Sequence, residues 1–376
     1  MPDTERFSLK DHLFNEVKVK KMAKDIKTVY PAFKDKEFVR AVVSEFPQLE
    51  LMQRIAHISA MLRQYLPQDY LEALKVLMVS LPAPCDPTKF DDDFGEFIYA
   101  PYGHFVSEYG CEKKYLKESL AAIKEITQRF SCEWAIRNYL NTFSKETLAE
   151  LKKWTKDSHY HVRRLVSEGT RPNLPWAKKV KITHADTLPL LELLYSDKTR
   201  YVTRSVANHL NDIAKGHPLQ VVRTLKRWQE SGRQTESEMI FITKHSLRTL
   251  VKQGNKAALE LLGHGSTNVS LEAFSIDTPK VKVGEALEFS FALISSDKTQ
   301  QDFIVDYIVH FRKANGTHAP KVHKLKMVRL APGEQVLLTK KHPLRVMTTR
   351  TLYRGEHMVT VQVNGKTFDT YSFEVY

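Results

Sequence analysis

The chain has 376 residues, 42% of them hydrophobic and 27% charged, which suits about two domains and excludes a disordered polymer. Lys and Arg number 57 against 44 Asp and Glu, a formal charge of +13 that favours a polyanionic partner such as DNA or RNA without selecting one. No apolar run reaches the ~20 residues of a membrane span, and the first residues mix both charge signs where a signal peptide needs an apolar stretch. Cys85, Cys111 and Cys132 offer neither a disulfide framework nor a CxxC pair. A soluble, cytoplasmic, monomeric protein with no membrane contact, no metal and no cofactor is expected.

From the start to about Leu262, apolar residues recur at three and four, as in Leu116, Leu120, Ile123, Ile126 and Phe130, the spacing of amphipathic helices. Pro67, the Leu81-Pro-Ala-Pro-Cys-Asp-Pro stretch, Ser131, Ser144 and Ser158 fall where helices end or begin. Within this part Asp157, Val162 and Arg164 recur forty residues later as Asp197, Val202 and Arg204, and more faintly as Ser237, Ile242 and Lys244. That period matches HEAT-like solenoids, in which stacked helix pairs share one core. Projection at 100° per residue buries Val162, Val166, Val202, Val206 and Ile242. The opposite face is then an exposed wall carrying Arg164, Glu168, Arg204, Asn208, Asp212, Lys244, Arg248 and Lys252.

After Gly263-His-Gly-Ser the text changes to short runs rich in Val, Phe, Tyr and Thr, separated by Asn315-Gly316, Pro332-Gly333 and Asn364-Gly365. Such spacing predicts a small immunoglobulin-like β-sandwich, with Asn364-Gly365 the clearest hairpin turn. The expected fold is therefore multidomain: an all-α HEAT-like repeat solenoid over 1–263 and an all-β sandwich over 267–376.

The wall has two readings. Its arginines either form the Asp–Arg ladders that hold repeats in register or contact nucleic acid, and Glu168 and Asp212 either pair with those arginines or do chemistry. Trp134, Trp154, Tyr160 and Trp176 lie nearby in sequence. Breaking an N-glycosidic bond develops positive charge on the sugar, which carboxylates stabilise while one of them directs water. A base made cationic by alkylation leaves without a general acid, and an indole adds cation–π attraction of about 0.5–2 kcal/mol. His159, His161 and His209 make no ligand set, because the first two point to different sides of a helix.

The stretch from His161 through Glu168 and Arg171 to Trp176, followed by Ser205-Val-Ala-Asn-His-Leu-Asn-Asp212-Ile-Ala-Lys-Gly-His-Pro218, resembles the AlkC branch of the DNA alkylation repair family, HEAT-like DNA glycosylases related to AlkD. Ser131-Cys-Glu133-Trp134-Ala-Ile-Arg137 is similar to the same branch. Arg350-Thr-Leu-Tyr353-Arg354-Gly355-Glu-His357 looks like a loop motif of the form with a C-terminal immunoglobulin-like domain.

The resemblance implies a monofunctional glycosylase, free of metal and cofactor, that excises 3-methyladenine and 3-methylcytosine from alkylated double-stranded DNA. It does so without fully swinging the lesion into a deep pocket, unlike most base-flipping enzymes. It further implies that Glu168 and Asp212 flank the lesion's sugar, that Trp176 sits against sugar or base, and that Glu133 lines the same cleft. Trp134 and Asn208 align with positions that are aromatic in the AlkD branch. One of the two is aromatic here, which favours carboxylates over an aromatic cradle.

Glu133 also reads as a residue favouring a helix start, Trp134 as core, and Arg163 and Arg164 as ladder residues. Arg171, in a Thr-Arg-Pro loop, suits a phosphate. Arg204, Lys244 and Arg248 complete the basic wall. Between Arg312 and Arg354 eleven cations face Glu334 alone, so the sandwich either assists DNA binding, with the Arg350 to His357 loop at a minor groove, or is a module whose charges aid solubility. The rival function is a non-catalytic solenoid that binds nucleic acid or a protein partner on the same wall.

Overall fold

The computed structural model describes residues 8–345 and 351–376; Arg350 lies outside them. Helices run from Leu9 to Leu261 and strands from Val269 to Val375. No helix among the described residues is long and apolar enough to cross a membrane. The chain forms two compact units, one of residues 1–213 with 233–242, the other of 214–232 with 243–376.

In the first unit the apolar spacing becomes core as expected. Leu120, Ile123 and Ile126 of the helix Leu116–Thr127 are buried, and so are Val162 and Val166 of Tyr160–Gly169 and Val202 and Val206 of Arg200–Ala214. The forty-residue echo is a repeated helix start. The Asp157 carboxylate accepts the His159 N–H at 2.9 Å and that of Asp197 accepts the Thr199 N–H at 2.9 Å, each just ahead of its helix, which answers one of the donors left open at a helix N-terminus. The third copy keeps the buried Ile242 but not this start: the helix Glu236–Lys252 already contains Ser237, and Thr235 Oγ1 accepts the Glu238 N–H at 3.4 Å.

The opposite face is not the open wall expected from the projection. Arg164, Glu168 and Asp212 are all buried. A segment between residues 81 and 97 lies over these helices, with Asp92 accepting from Tyr160 Oη and lying 3.3 Å from His161 Nε2, and with Phe90 O accepting the Tyr201 N–H at 3.4 Å. Burial pushes the Asp92 carboxyl up, but hydrogen bonds from Tyr160, the Asp93 N–H and His161 outweigh it and hold the group at about 2. This segment roofs the face with its own aromatic rings and acids.

The second unit contains a sandwich. One sheet has the order β1 (Val269–Ile276), β3 (Ala286–Ser295), β6 (Gln335–Pro343). The other has β2 (Lys280–Val281), β8 (Lys366–Val375), β7 (Gly355–Val363), β4 (Gln301–Arg312), β5 (His318–Leu330). Phe289, Phe291, Val305, Val309, Val361 and Phe373 fill the space between the sheets. Asn364 and Gly365, at φ 45° and 82°, make the β7–β8 turn with both residues in the left-handed region, as a two-residue hairpin requires. Pro332-Gly333 instead carries the chain from β5 in one sheet to β6 in the other.

Helical residues belong to this unit too. Gln362 Nε2 donates to Lys252 O at 3.5 Å and Asn364 Nδ2 to Ser266 O at 2.7 Å. A Cβ on Gly365 would stand 2.6 Å from the Gly254 Cα, so the hairpin tip meets the helical segment backbone to backbone, a closeness that glycine alone permits. Structure therefore changes from helix to strand between Leu261 and Val269, while the compact unit holding the sandwich begins well before residue 267.

Candidate active site

A cleft of about 890 Å³ in the first unit is lined by residues from six stretches, among them Asp92, Phe94, Phe130, Glu133, Trp134, Arg164, Glu168, Arg171, Trp176, Tyr201, Arg204, Ser205 and Asn208. Of the residues expected in the site, all of these except Asp92, Phe94, Phe130, Tyr201 and Ser205 came from the sequence. In a chain of net charge +13, the lining holds five carboxylates, of Glu50, Asp92, Asp93, Glu133 and Glu168, against three guanidiniums. The cleft is locally acidic.

Glu133 follows Ser131, whose Oγ donates to Glu133 Oε2 at 2.8 Å, and Arg164 Nη1 donates to the same oxygen at 2.9 Å. Glu168, one turn beyond Arg164, is only 4% exposed. It accepts from Arg171 Nη1 at 2.5 Å and Ser205 Oγ at 2.5 Å, with Arg164 Nη2 at 3.7 Å. Arg171 also donates through Nε to Asp212 Oδ2 at 3.0 Å. Three carboxylates thus share two guanidiniums. Burial pushes the Glu168 carboxyl up, yet the charges of Arg164 and Arg171 and the hydrogen bonds from Ser205 and Arg171 prevail and hold it below the ordinary carboxylate range. Burial alone would lower Arg171, but Glu168 and Asp212 raise it.

Asp212 is placed differently from Glu168. It is not among the residues lining the cleft and meets it through Arg171. Arg164 lies with its guanidinium carbon 4.5 Å from the Tyr201 ring centroid and 5.5 Å from that of Phe94, so aromatic faces complete the shell that the two acids begin. Trp134 lines the cleft with its ring 6.3 Å from Phe130, while Trp154 is buried with its Nε1 donating to Glu150 at 3.2 Å. Trp176 is 86% exposed at φ 57°, a left-handed conformation that costs a bulky residue of order 1–3 kcal/mol and persists only where the surrounding structure imposes it.

Other expected contacts lie elsewhere. Arg163 is buried and makes a two-pronged pair with Asp197, at 2.5 and 3.1 Å, while its Nη1 donates to Asp157 O and Ser158 O at 2.9 Å. It is the ladder residue, not a free phosphate donor, because its partners close one repeat on the next. Arg204 lines the cleft but is tied to Asp91 at 2.7 Å and donates to Asp92 O at 2.8 Å. Lys244, exposed, and Arg248, which donates to His245 O, belong to the second unit.

In that unit Tyr353 and Arg354 are exposed, and Gly355 has φ 114° against the Arg312 side chain. His357 is fully buried, accepting the Arg312 N–H at 3.4 Å on Nδ1 and donating through Nε2 to Tyr353 O at 2.8 Å. It braces the strand start and presents no surface to a groove. His209 is likewise buried, with Nδ1 3.0 Å from Ser167 O, and burial pushes its imidazole down to about 4.

The sequence reading passed over Asp91, Asp92 and Tyr201. An Asp91-Asp92-Asp93 run in a basic chain was the available signal, since like charges side by side need cationic partners.

Known proteins resemble the chain in both its helical and its strand-rich parts. Residues 110–241 match a family model described as DNA alkylation repair enzyme, and residues 270–376 match one described as the C-terminal Ig-like domain of protein YhaZ. The chain is 32% identical to YhaZ of Bacillus subtilis (strain 168) over 96% of its own length and 98% of the relative's. It is 34% identical to the Pseudomonas fluorescens alkylpurine DNA glycosylase AlkC, solved bound to DNA containing an abasic site analog, at a TM-score of 0.86 over 98% of this chain and 100% of that one. With both halves matched in order and nearly every residue of each relative covered, this chain belongs to the AlkC branch of the DNA alkylation repair family.

Proposed function

We propose that the protein is a monofunctional DNA glycosylase that hydrolyses the N-glycosidic bond of cationic N3-alkylated bases, 3-methyladenine and 3-methylcytosine, in duplex DNA. The observation that carries this reading is the acidic cleft within a basic chain, where Arg164 and Arg171 keep Glu168 ionised and Arg164 also pairs with Glu133, in a lining that includes Trp176. The alkylpurine DNA glycosylase activity of the Pseudomonas relative supports it.

A cationic base needs no proton to leave. As the bond lengthens, positive charge moves from base to sugar, and carboxylates already oriented by hydrogen bonds stabilise it without reorganising. Glu168 is a weak base when held below the ordinary carboxylate range, so its part is electrostatic; a water aligned by Glu168 or Glu133 adds through oxygen to a sugar that is by then strongly electrophilic, and its proton passes to solvent as the neutral base departs. Asp212 keeps Arg171 in place against Glu168. Trp176 presents an indole face to the charge. The test incubates the purified full chain with methylated duplex and measures released bases. Release of 3-methyladenine and 3-methylcytosine is expected, whereas retention of every base, with the duplex bound, would leave the non-catalytic scaffold.

A further inference from the structure

The loop that carries Arg171 and Trp176 leaves the helix Tyr160–Gly169 and returns near Lys178, and one side chain grips both of its arms. Arg137, on the helix Ile136–Thr142, is fully buried. Its Nη1 donates to Gly169 O at 3.0 Å and to Arg171 O at 2.9 Å, and its Nε donates to Lys178 O. The approach is close enough that a Cβ on Gly169 would stand 2.5 Å from Ile136 Cγ2. Asn138 and Asn141 of the same helix hold the returning arm, through Lys178 Nζ at 3.1 Å and Lys179 O at 2.9 Å.

A buried guanidinium is a poor way to stabilise a fold. Taking it from water costs several kcal/mol, and the Arg137 Nη2 has no hydrogen-bond partner among the described residues, a further penalty that an apolar side chain would avoid. Burial and the nearby Arg171 charge push its pKa down to about 10, so the group stays charged at neutral pH. What it achieves is geometric: three carbonyls on a loop whose outer residue, Trp176, holds a left-handed conformation in the open.

We infer that Arg137 is a positioning residue, which fixes the loop from Gly169 to Lys178 so that Arg171 and Trp176 stand in their working places over the reacting sugar. The inference rests on the glycosylase reading above.

The experiment measures single-turnover release of 3-methyladenine from methylated duplex, and the affinity for the same duplex, with full-length Arg137→Met and Arg137→Lys, each alone and combined with Trp176→Ala. Arg137→Met is expected to slow release by on the order of 10²-fold, the cost of a misplacement of about 1 Å, while affinity changes by less than about threefold. Arg137→Lys, which keeps the charge but not the fork, is expected to recover about tenfold. In the Trp176→Ala background the Arg137 changes are expected to cost far less, since residues acting as a unit are non-additive.

Release at the wild-type rate, or equal losses in both backgrounds, would overturn the inference. Should the Met variant not fold, the Lys variant decides by the same two comparisons. Failure of the unsubstituted protein to release any base would instead sink the glycosylase reading itself.

Discussion

The cleft of the first unit and the sandwich of the second carry opposite charge. The cleft lining has more carboxylates than guanidiniums, whereas the stretch from Arg312 to Arg354 has eleven cations and one acid. Of those acids Glu133 and Glu168 are buried and individually hydrogen-bonded, while Lys321, Lys324, Lys326 and Arg329 on the outer strand β5 are exposed. Cations spread along an exposed edge attract a phosphate backbone and also guard the edge against pairing with another chain. Carboxylates locked in place answer a single charge at a single point. Under the proposed function one set of residues would hold a polyanion and another would stabilise a cation.

That separation can be tested by degrees. Glu168→Gln is expected to lower excision by about 10²–10³-fold, the scale of losing one preorganised electrostatic group, with duplex affinity and its salt dependence unchanged in a filter-binding assay. A parallel loss of affinity would merge the two roles. Arg163→Met, one residue from Arg164 but paired with Asp197, is expected to destabilise the fold by about 3 kcal/mol, because it strands a buried carboxylate. Calorimetry would record the lowered Tm, and the folded fraction is expected to excise at the unsubstituted rate.

Arg354→Ala, at an exposed site, is expected to weaken duplex binding about two- to threefold and to reduce the slope of log K against log salt by about 0.9, with excision from bound duplex unaltered. The smallest effect is one of pH. Since Glu168 is held below its ordinary value, the rate is expected to stay flat from about pH 7 to about pH 5, and the stability this pairing contributes is lost only as pH falls through the lowered value. An inflection near pH 6 would mean that a protonated carboxyl takes part.

Local signals carried much of this. The Asn364-Gly365 turn is legible because both residues tolerate the left-handed region, and Asp157 and Asp197 because a helix start is decided within two residues. Val162, Val202 and Ile242 follow from periodicity alone. The roof over the wall does not, because Asp92 meets Tyr160 and His161 across 68 and 69 positions, and Asp91 meets Arg204 across 113. Periodicity assigns faces to a helix and says nothing of which distant loop will cover one. For the same reason Arg163 and Arg164, neighbours with the same side chain, could not be told apart: one reaches Asp197 and the other Glu133.

The paired glycines at 254 and 365 have a practical corollary. A portable cassette of the sandwich cut at the helix-to-strand change would strip the platform under its hairpin tip and leave the Gln362 and Asn364 amides without Lys252 O and Ser266 O. Expression boundaries drawn upstream, so that 214–232 and 243–266 travel with the strands, keep that seam intact.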